Sequence, residues 1–181
     1  MTPNQRELLA RRIHEVSHLK GQFLLRSGVV SDEYFDKYRF ESDPALLNDI
    51  AQTMRGLIPD GVDALAGLEM GGIPIATVLS QLTGIPTLFV RKKAKEYGTC
   101  KLAEGGSTQG LRIVIVEDVI TSGGQIAASA KELRALGADI VRVIGVIDRE
   151  AGGVKNLAEE GLELRALFTM SELKRAAREL Y

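Results

Sequence analysis

Residues 112–124 join a buried strand pattern to two adjacent acids and a turn of small residues. The apolar run at residues 114–116 favours a central parallel strand that is covered on both faces. Glu117 and Asp118 follow it, and Ser122 with the two glycines after it is typical of a turn that opens the next helix. This order of elements predicts an open α/β sheet, and ligands of such sheets bind at the carboxyl ends of the strands.

The same stretch favours a phosphorylated sugar as its ligand. Glu117 and Asp118 can accept hydrogen bonds from vicinal ribose hydroxyls, while the backbone N–H groups of residues 121–125 can bind a phosphate at the start of the helix. In the alternative interpretation the two acids only cap that helix and lie in solvent. The stretch lacks the Lys-Ser/Thr ending of a Walker A loop and is not a G-x-G-x-x-G fingerprint, which disfavours nucleoside triphosphates and dinucleotides.

The composition of the chain limits the classes of protein to which it can belong. Its 181 residues, 45% of them hydrophobic, fit a single domain spanning residues 1–181. With 23 Lys and Arg against 24 Asp and Glu, the chain has no basic excess of the kind that non-specific nucleic-acid binding needs. The single Cys100 excludes an intramolecular disulfide framework, and the lack of an apolar leader or of a long apolar run predicts a cytosolic protein that does not enter membranes.

Helical and strand patterns alternate along most of the chain. Helical spacing occurs at residues 4–19, 44–57, 73–82, 125–136 and 153–160 and from Ser171 onward, and strand patterns occur at residues 62–68, 87–90, 111–116, 140–147 and 162–168. Gly84 and Gly137 stand where helix C-caps are expected. This alternation predicts a mainly parallel sheet wrapped by helices.

Two segments break the alternation. Residues 21–40 gather aromatic side chains and predict a small lid or rim: Phe23, Tyr34, Phe35, Tyr38 and Phe40. Residues 93–110 are glycine-rich without apolar periodicity and predict a long mobile loop. Four cations stand at its start, which is consistent with a lid that closes over a phosphorylated sugar: Arg91, Lys92, Lys93 and Lys95.

A second phosphate-binding loop is indicated after the strand at residues 62–68. Glu69-Met70-Gly71-Gly72 joins that strand to a helix, so its backbone N–H groups can bind one end of a diphosphate, although a glycine pair alone can also simply turn the chain. His14 and His18 lie four residues apart on a helix but have no acidic third ligand nearby in sequence, and we assign them no role.

The run from the apolar strand through Glu117, Asp118 and Thr121 to Gly124 resembles the phosphoribosyl-pyrophosphate (PRPP) motif of type I phosphoribosyltransferases. That resemblance implies the fold of the family. It consists of a central mainly parallel sheet flanked by helices, with a small hood formed by N-terminal and C-terminal segments, here roughly residues 1–40 and 153–181.

Within that family the chain resembles orotate phosphoribosyltransferases along most of its length. The resemblance is carried by residues 23–28, 34–36, 67–76, 91–98 and 148–153. It implies an enzyme of the pentosyltransferase class that transfers ribose 5-phosphate from PRPP to orotate, giving orotidine 5′-monophosphate and pyrophosphate in pyrimidine (UMP) biosynthesis. It also implies Mg²⁺ held mainly by PRPP and water, without metal ligands from the protein.

The resemblance further implies roles for individual residues. Lys95 and Asp118 are the expected catalytic residues, on a mobile catalytic loop at roughly residues 93–109 and in the PRPP motif. The expected PRPP-binding residues are Met70, Gly71, Gly72, Arg91, Lys92, Lys95, Glu117, Asp118, Val119, Ile120, Thr121, Ser122, Gly123, Gly124 and Gln125. The expected orotate-binding residues are Arg26, Tyr34, Phe35, Thr121 and Arg149. A homodimer is implied, in which the loop of one subunit acts on the site of the other.

Two departures and two alternatives remain at this stage. Tyr97 stands where many members of the family have His, and Arg26 stands where Lys is common. A purine phosphoribosyltransferase would share the PRPP motif, but Arg149 favours orotate because a guanidinium can bind its carboxylate bidentately. A non-catalytic regulatory protein that senses PRPP would be expected to carry a DNA-binding module or a broad basic face, and the sequence indicates neither.

Overall fold

The computed structural model describes residues 2–24, 28–93 and 102–178. The predictions for Arg26, Lys95 and Tyr97 therefore lie outside the described residues. The helices are α1 (Pro3–Ser17), α2 (Tyr38–Ser42), α3 (Pro44–Met54), α4 (Gly72–Thr83), α5 (Gly124–Ala135), α6 (Gly153–Glu159) and α7 (Met170–Arg178), with a 3-10 turn at Arg55–Leu57. The strands are β1 (His18–Leu24), β2 (Val30–Phe35), β3 (Ala64–Leu68), β4 (Thr87–Val90), β5 (Ala103–Glu104), β6 (Arg112–Ile120), β7 (Asp139–Asp148) and β8 (Leu164–Thr169).

The predicted sheet is confirmed. Six of the described strands form it in the order β5-β4-β3-β6-β7-β8, and all neighbours run parallel except β5, which is antiparallel to β4. Alternate residues of β6 enter two separate cores. Val114 and Val116 pack with α1, α3, α4 and α7, and Ile113 and Ile115 pack with α5 and α6. Both faces of the sheet are therefore covered, which is why β6 is a nearly continuous apolar run.

Strand β6 is longer than the sequence indicated. The prediction ended it at residue 116, but the strand continues through both acids to Ile120. Its parallel pairing with β7 extends to Ile120 opposite Asp148, and the N–H of Arg149 donates to the carbonyl of Ile120 at 2.9 Å. Glu117 and Asp118 thus lie within the sheet and not in the turn after it, because the neighbouring strand continues to supply hydrogen bonds.

The predicted long loop at residues 93–110 carries structure in its second half. Strand β5 pairs with β4, and Leu102 and Ala103 are buried. The Thr108 hydroxyl donates to the Leu136 carbonyl at 3.0 Å, and the Gly110 N–H donates to the Gly137 carbonyl at 2.8 Å. From residue 102 onward the segment is therefore anchored, first to the edge of the sheet through β5 and then to the C-terminal end of α5, which the absence of apolar periodicity did not indicate.

The N-terminal region also differs from its prediction. Helix α1 ends at Ser17, before the predicted end at residue 19, because His18 and Leu19 enter β1 and pair with Phe35 and Tyr34 of β2. The segment predicted to be an aromatic rim is thus a two-stranded antiparallel hairpin. Across it, the rings of Phe23 and Tyr34 lie 5.5 Å apart, centroid to centroid.

Residues 153–178, the described C-terminal part of the predicted hood, contribute to the sheet and to both of its faces. Strand β8 belongs to the main sheet, α6 covers the face shared with α5, and α7 packs beside α1. Arg6 of α1 binds both β8 and α7: its Nη2 donates to the Leu167 carbonyl at 2.6 Å and to Glu172 Oε1 at 3.0 Å. Helix α7 and the hairpin side of the chain are therefore tied together through α1. No helix within the described residues is long and apolar enough to cross a membrane.

The start of α7 has a reciprocal cap. The Thr169 N–H donates to Glu172 Oε2 at 2.7 Å, and the Glu172 N–H donates to the Thr169 hydroxyl at 3.2 Å. This is a capping box, in which a Thr and the Glu three residues later each satisfy a free backbone N–H of the other. Glu172 therefore both caps α7 and binds Arg6.

We expect Glu172→Ala to lower the free energy of unfolding by about 1–2 kcal/mol, because it removes the cap and the partly exposed Arg6 ion pair. Chemical denaturation measures this change. The matched control is Glu159→Ala, which removes only an exposed ion pair with Lys155 at 3.9 Å and should cost less than about 0.5 kcal/mol. Equal effects of the two substitutions would show that Glu172 does not stabilise the fold through these contacts.

Candidate active site

Two loops meet at the carboxyl ends of neighbouring parallel strands. Strand β3 pairs with β6, with Gly67 opposite Val116, so the loop after β3 and the acids of β6 lie at the same edge. The approach is close: a Cβ added to Gly72 would overlap the Val116 carbonyl oxygen, and one added to Gly71 would overlap Asp118 Oδ2. Packing alone therefore requires glycine at positions 71 and 72, the two glycines that we predicted to bind PRPP.

Asp118 is completely buried and paired with a cation that the sequence prediction missed. Lys37, between β2 and α2, places Nζ 2.6 Å from Asp118 Oδ2. Burial alone would raise the pKa of Asp118, but hydrogen bonds with Glu117, Glu41 and Lys37 outweigh burial and hold that pKa below its usual range. Asp118 is therefore a carboxylate at neutral pH.

Glu41 and Glu117 lie next to this carboxylate, and their pKa values shift in the opposite direction to that of Asp118. Burial, followed by a hydrogen bond with Asp118 and its negative charge, raises the pKa of Glu41 to about 9. The same causes in the same order raise the pKa of Glu117 well above its usual range. Two acids are thus neutral beside one ionised acid, since like charges this close and this buried cannot all ionise.

The predicted phosphate turn follows β6. Gly123 has φ +77°, and among the described residues no side chain caps α5, so the N–H groups of its first turn are available to an anion. The Asn156 side chain donates to the Ser122 carbonyl at 3.0 Å, and a Cβ on Gly153 would lie 2.6 Å from the Thr121 carbonyl oxygen. Helix α6 therefore holds the turn in place while Thr121 and Ser122 stay exposed.

Arg149, which we predicted to bind orotate, lies beside this turn. Its N–H bonds the carbonyl of Ile120, the residue before Thr121, and its side chain is exposed. Glu150, the residue after Arg149, is held by two hydrogen bonds. The Glu150 N–H donates to Asp148 Oδ1 at 2.9 Å, and Glu150 Oε2 accepts from the Ser171 N–H at 2.9 Å, so α7 contacts the segment that carries Arg149.

The predicted loop cations begin next to the β3 loop. Glu69 Oε1 accepts from the Lys92 N–H at 2.5 Å, and the Arg91 N–H donates to the Leu102 carbonyl at 2.9 Å. Arg91 Nε lies 3.9 Å from Glu104 Oε1. The Glu69–Met70 peptide is cis, and the Met70 side chain is 60% exposed. The start of the loop and the predicted pyrophosphate-binding loop are therefore in direct contact.

Tyr34 and Phe35, which we predicted to bind orotate, are consecutive residues of β2. Consecutive side chains of a strand point to opposite faces. Tyr34 is exposed beside Phe23, whereas Phe35 packs against the apolar core. A ligand on one face of the hairpin would therefore meet the ring of one residue and the backbone of the other.

The sequence prediction missed Lys37 and Glu41. One signal was available in their spacing, since Lys37 and Glu41 lie four residues apart and can face the same side of a helix. Glu41 also follows Phe40, which is completely buried, so Glu41 on the short helix α2 lies close to the protein interior. Nothing local indicated that their partner is Asp118, which is distant along the chain.

Comparisons with known proteins agree on one family. Residues 39–161 match the family model described as "Phosphoribosyl transferase domain". The chain is 56% identical over 171 residues to an orotate phosphoribosyltransferase of Nocardioides sp., covering 94% of this chain and 95% of the relative. It is 41% identical over 174 residues to the orotate phosphoribosyltransferase of Pyrococcus horikoshii, covering 94% of each. A crystal structure of Mycobacterium tuberculosis orotate phosphoribosyltransferase in complex with PRPP has a TM-score of 0.80 at 28% identity, covering 94% of this chain and 99% of that one.

We expect Gly71→Ala to destabilise the protein by about 1–3 kcal/mol, because the new methyl group overlaps the buried Asp118 carboxylate. The backbone at Gly71 has φ −72°, which alanine adopts freely, so the effect isolates the steric clash. Gly56→Ala is the control, since an added Cβ there meets no atom within 4 Å. A Gly71→Ala protein as stable as Gly56→Ala in chemical denaturation would show that the loop and Asp118 are not in this contact.

Proposed function

Since the chain belongs to the orotate phosphoribosyltransferase family, we propose that it transfers ribose 5-phosphate from PRPP to orotate, giving orotidine 5′-monophosphate and pyrophosphate. In this pentosyltransferase reaction the bond from the anomeric carbon to pyrophosphate breaks and a bond to an orotate ring nitrogen forms. One observation carries the proposal: a buried carboxylate, Asp118, lies between an uncapped helix N-terminus and a glycine loop.

The two ends of PRPP fit two different parts of this site. The N–H groups of residues 121–125 face the position proposed for the 5-phosphate, with Ser122, Gly123, Gly124 and Gln125 in the turn and first helical residues. Asp118, with neutral Glu117 beside it, is proposed to bind the ribose hydroxyls as acceptor and donor. Met70, Gly71 and Gly72 then bring backbone to the pyrophosphate.

The chemical step develops positive charge on the ribose and negative charge on the leaving pyrophosphate, as at other glycosyl centres. The proposed task of the protein is to stabilise these charges, hold orotate in line and exclude water. Arg91 and Lys92 lie at the base of the catalytic loop, next to the glycine loop, and are proposed to bind pyrophosphate together with Lys95. No protein nucleophile is required.

Mg²⁺ is the proposed cofactor. Asp118 is already paired with Lys37, and burial raises the pKa of Glu117, so neither acid is well suited to be a direct ligand. The described part of the chain offers no group of three or more His, Cys, Asp or Glu placed to hold a metal ion. The oxygens of the diphosphate, the ribose and water are the hard donors that Mg²⁺ prefers, and when bound there it neutralises diphosphate charge.

Orotate is the proposed acceptor because of the cation beside the ribose site. Arg149 can bind the orotate carboxylate bidentately, with Thr121 adjacent across the β6–β7 pair. Arg26, Tyr34 and Phe35 remain proposed orotate contacts, and the last two belong to β2. A purine enzyme would need neutral partners in place of Arg149, and a PRPP-sensing regulator would not need the loop cations. The relatives described above, all named orotate phosphoribosyltransferases, also support neither alternative.

Two further properties are proposed on the strength of family membership. The protein is a homodimer whose catalytic loop reaches the partner's site, and it works in the cytoplasm, where pyrimidine (UMP) biosynthesis uses its product. Neither statement depends on the assignment of Asp118 or Arg149.

The function is tested by the ultraviolet absorbance of orotate mixed with the purified protein, PRPP and Mg²⁺. We expect the orotate signal to fall only when all components are present, and to persist when EDTA removes the metal. Hypoxanthine, guanine, xanthine and uracil serve as parallel acceptors. Turnover of one of these bases instead of orotate would contradict the acceptor, and PRPP binding without any turnover would favour the regulatory alternative.

The same assay tests Arg149. We expect Arg149→Ala to raise the KM for orotate by about tenfold to a hundredfold, the value of one charge-assisted contact, with little effect on the KM for PRPP. Arg165→Ala is the control, because Arg165 is exposed and pairs only with Glu163 among the contacts described. Unchanged orotate kinetics in Arg149→Ala would remove Arg149 from the acceptor site.

We expect Lys95→Ala to lower kcat by about a hundredfold or more while PRPP still binds, because its charge acts mainly on the departing pyrophosphate. Lys93→Ala is the matched control on the same loop. Mixing inactive Lys95→Ala and Asp118→Asn subunits then tests the dimer. Activity returns if the loop acts in trans, because one of the two sites in the mixed dimer is intact, and no recovery would place the loop over its own subunit.

A further inference from the structure

We infer that Glu41 is a positioning residue for PRPP: its carboxyl group, as a neutral acid, donates a hydrogen bond to Asp118 and holds the Asp118 carboxylate in place beneath the proposed pyrophosphate loop. This inference rests on the proposed function and deepens it. It assigns a role to a residue that lies outside the PRPP motif and outside both loops.

Glu41 is held in place by the element that carries it. It belongs to α2, whose Phe40 is completely buried in the same core as Ile13 of α1 and Ile50 of α3. Only 8% of Glu41 is exposed, and its Oε1 accepts no hydrogen bond from the described residues. A buried acceptor of this kind costs free energy unless it has a partner, and a carboxyl oxygen that carries a proton becomes a donor instead.

The surroundings of Gly71 show which acceptor lies next to Glu41 Oε1. A Cβ added to Gly71 would lie 2.8 Å from Glu41 Oε1 and would also overlap Asp118 Oδ2. Both oxygens therefore face one point under the proposed pyrophosphate loop. Two buried carboxylates that face one point repel each other, whereas one proton shared between them satisfies both. Glu41 is the donor, because Asp118 is the acid that has the Lys37 ammonium at 2.6 Å.

The charges around Glu41 support this assignment. Asp36 and Lys37 precede α2, and Asp118 lies opposite it on β6 next to Glu117. The loop at residues 70–72 has no titratable side chain, and α1 and α3 contribute apolar side chains to the core around α2. Burial, the hydrogen bond with Asp118 and the charges of Asp118 and Asp36 raise the pKa of Glu41, and the charge of Lys37 opposes them.

The neutral form of Glu41 has a consequence for ligand binding. Asp118 lies at the edge where a diphosphate with several negative charges is proposed to bind. A second ionised acid beneath residues 70–72 would repel that ligand, and it would also compete with Asp118 for Lys37. A neutral acid holds Asp118 in place without adding charge.

Glutamine reproduces a neutral, hydrogen-bond-donating Glu41, and alanine does not. We expect Glu41→Gln to bind PRPP within about twofold of the wild-type protein at neutral pH, measured by calorimetry with Mg²⁺. We expect Glu41→Ala to bind about tenfold more weakly, the value of one hydrogen bond to a charged group. Glu163→Gln is the matched control, because it neutralises an exposed acid that binds Arg142 and Arg165.

The pH dependence separates this role from a purely structural one. As the pH rises through about 9, Glu41 ionises in the wild-type protein, so its PRPP affinity should fall more steeply than that of Glu41→Gln. Stability gives a readout without ligand. Folding takes up a proton at Glu41 between its ordinary pKa of 4.5 and about 9, so the wild-type protein should lose stability relative to Glu41→Gln as the pH rises through that range.

Several outcomes would overturn the inference. Glu41→Gln could bind PRPP as weakly as Glu41→Ala, or its affinity and stability could follow the same pH dependence as the wild type. The infrared absorption of protonated carboxyl groups should fall in Glu41→Gln to the part contributed by Glu117, and an absorption of undiminished intensity would also count against the inference. This readout remains usable if Glu41→Ala does not fold. A wild-type protein that fails to bind PRPP would instead contradict the proposed function.

Discussion

The close approach of the β3 loop to strand β6 is the constraint on which the rest of the site depends. Gly72 lies against the Val116 carbonyl and Gly71 against the Asp118 carboxylate, with no room for a side chain at either position. Because the two strands are parallel neighbours, this contact brings the proposed pyrophosphate and ribose sites to one edge of the sheet. The remaining parts of the site, α2 and the loop that follows β4, pack around this contact.

That approach also requires a particular balance of charge. It buries Asp118 next to two other acids, and only Lys37 pairs with the cluster among the described residues. Burial makes full ionisation of all three acids too costly, so one negative charge remains and faces one positive charge. The three acids and Lys37 together are thus nearly neutral, so the proposed attraction for the negatively charged PRPP falls to the backbone N–H groups and the loop cations.

The sequence predicted those features that depend on local patterns. The apolar runs located the main strands, and Gly84 and Gly137 end their helices in the left-handed region, at φ +75° and +85°. Prediction from the sequence failed where the secondary structure of a segment depends on pairing with a strand elsewhere in the chain. Strand β6 continues to Ile120 only because β7 pairs with it, and residues 18–24 and 30–35 are strands only because they pair with each other.

The same reason explains what sequence reasoning found of the site and what it missed. Glu117, Asp118 and the turn after them were identified because they are contiguous and form a specific motif. Lys37 and Glu41 were missed because their roles come from contact with Asp118, and no spacing rule connects residues so far apart along the chain. Lys95, the residue most important to the predicted mechanism, lies outside the described residues.

The contact between α7 and the Arg149 turn has a consequence for biosynthesis of the chain itself. Glu150 binds the backbone of Ser171, and Glu172 then binds Arg6 near the first residue of α1. Strands β3, β4, β6 and β7 all precede α7 along the chain, but these two bonds need α7 itself. During synthesis the turn that carries Arg149 therefore gains its contact with Ser171 only after α7 has been made, later than the strands on either side of the acids.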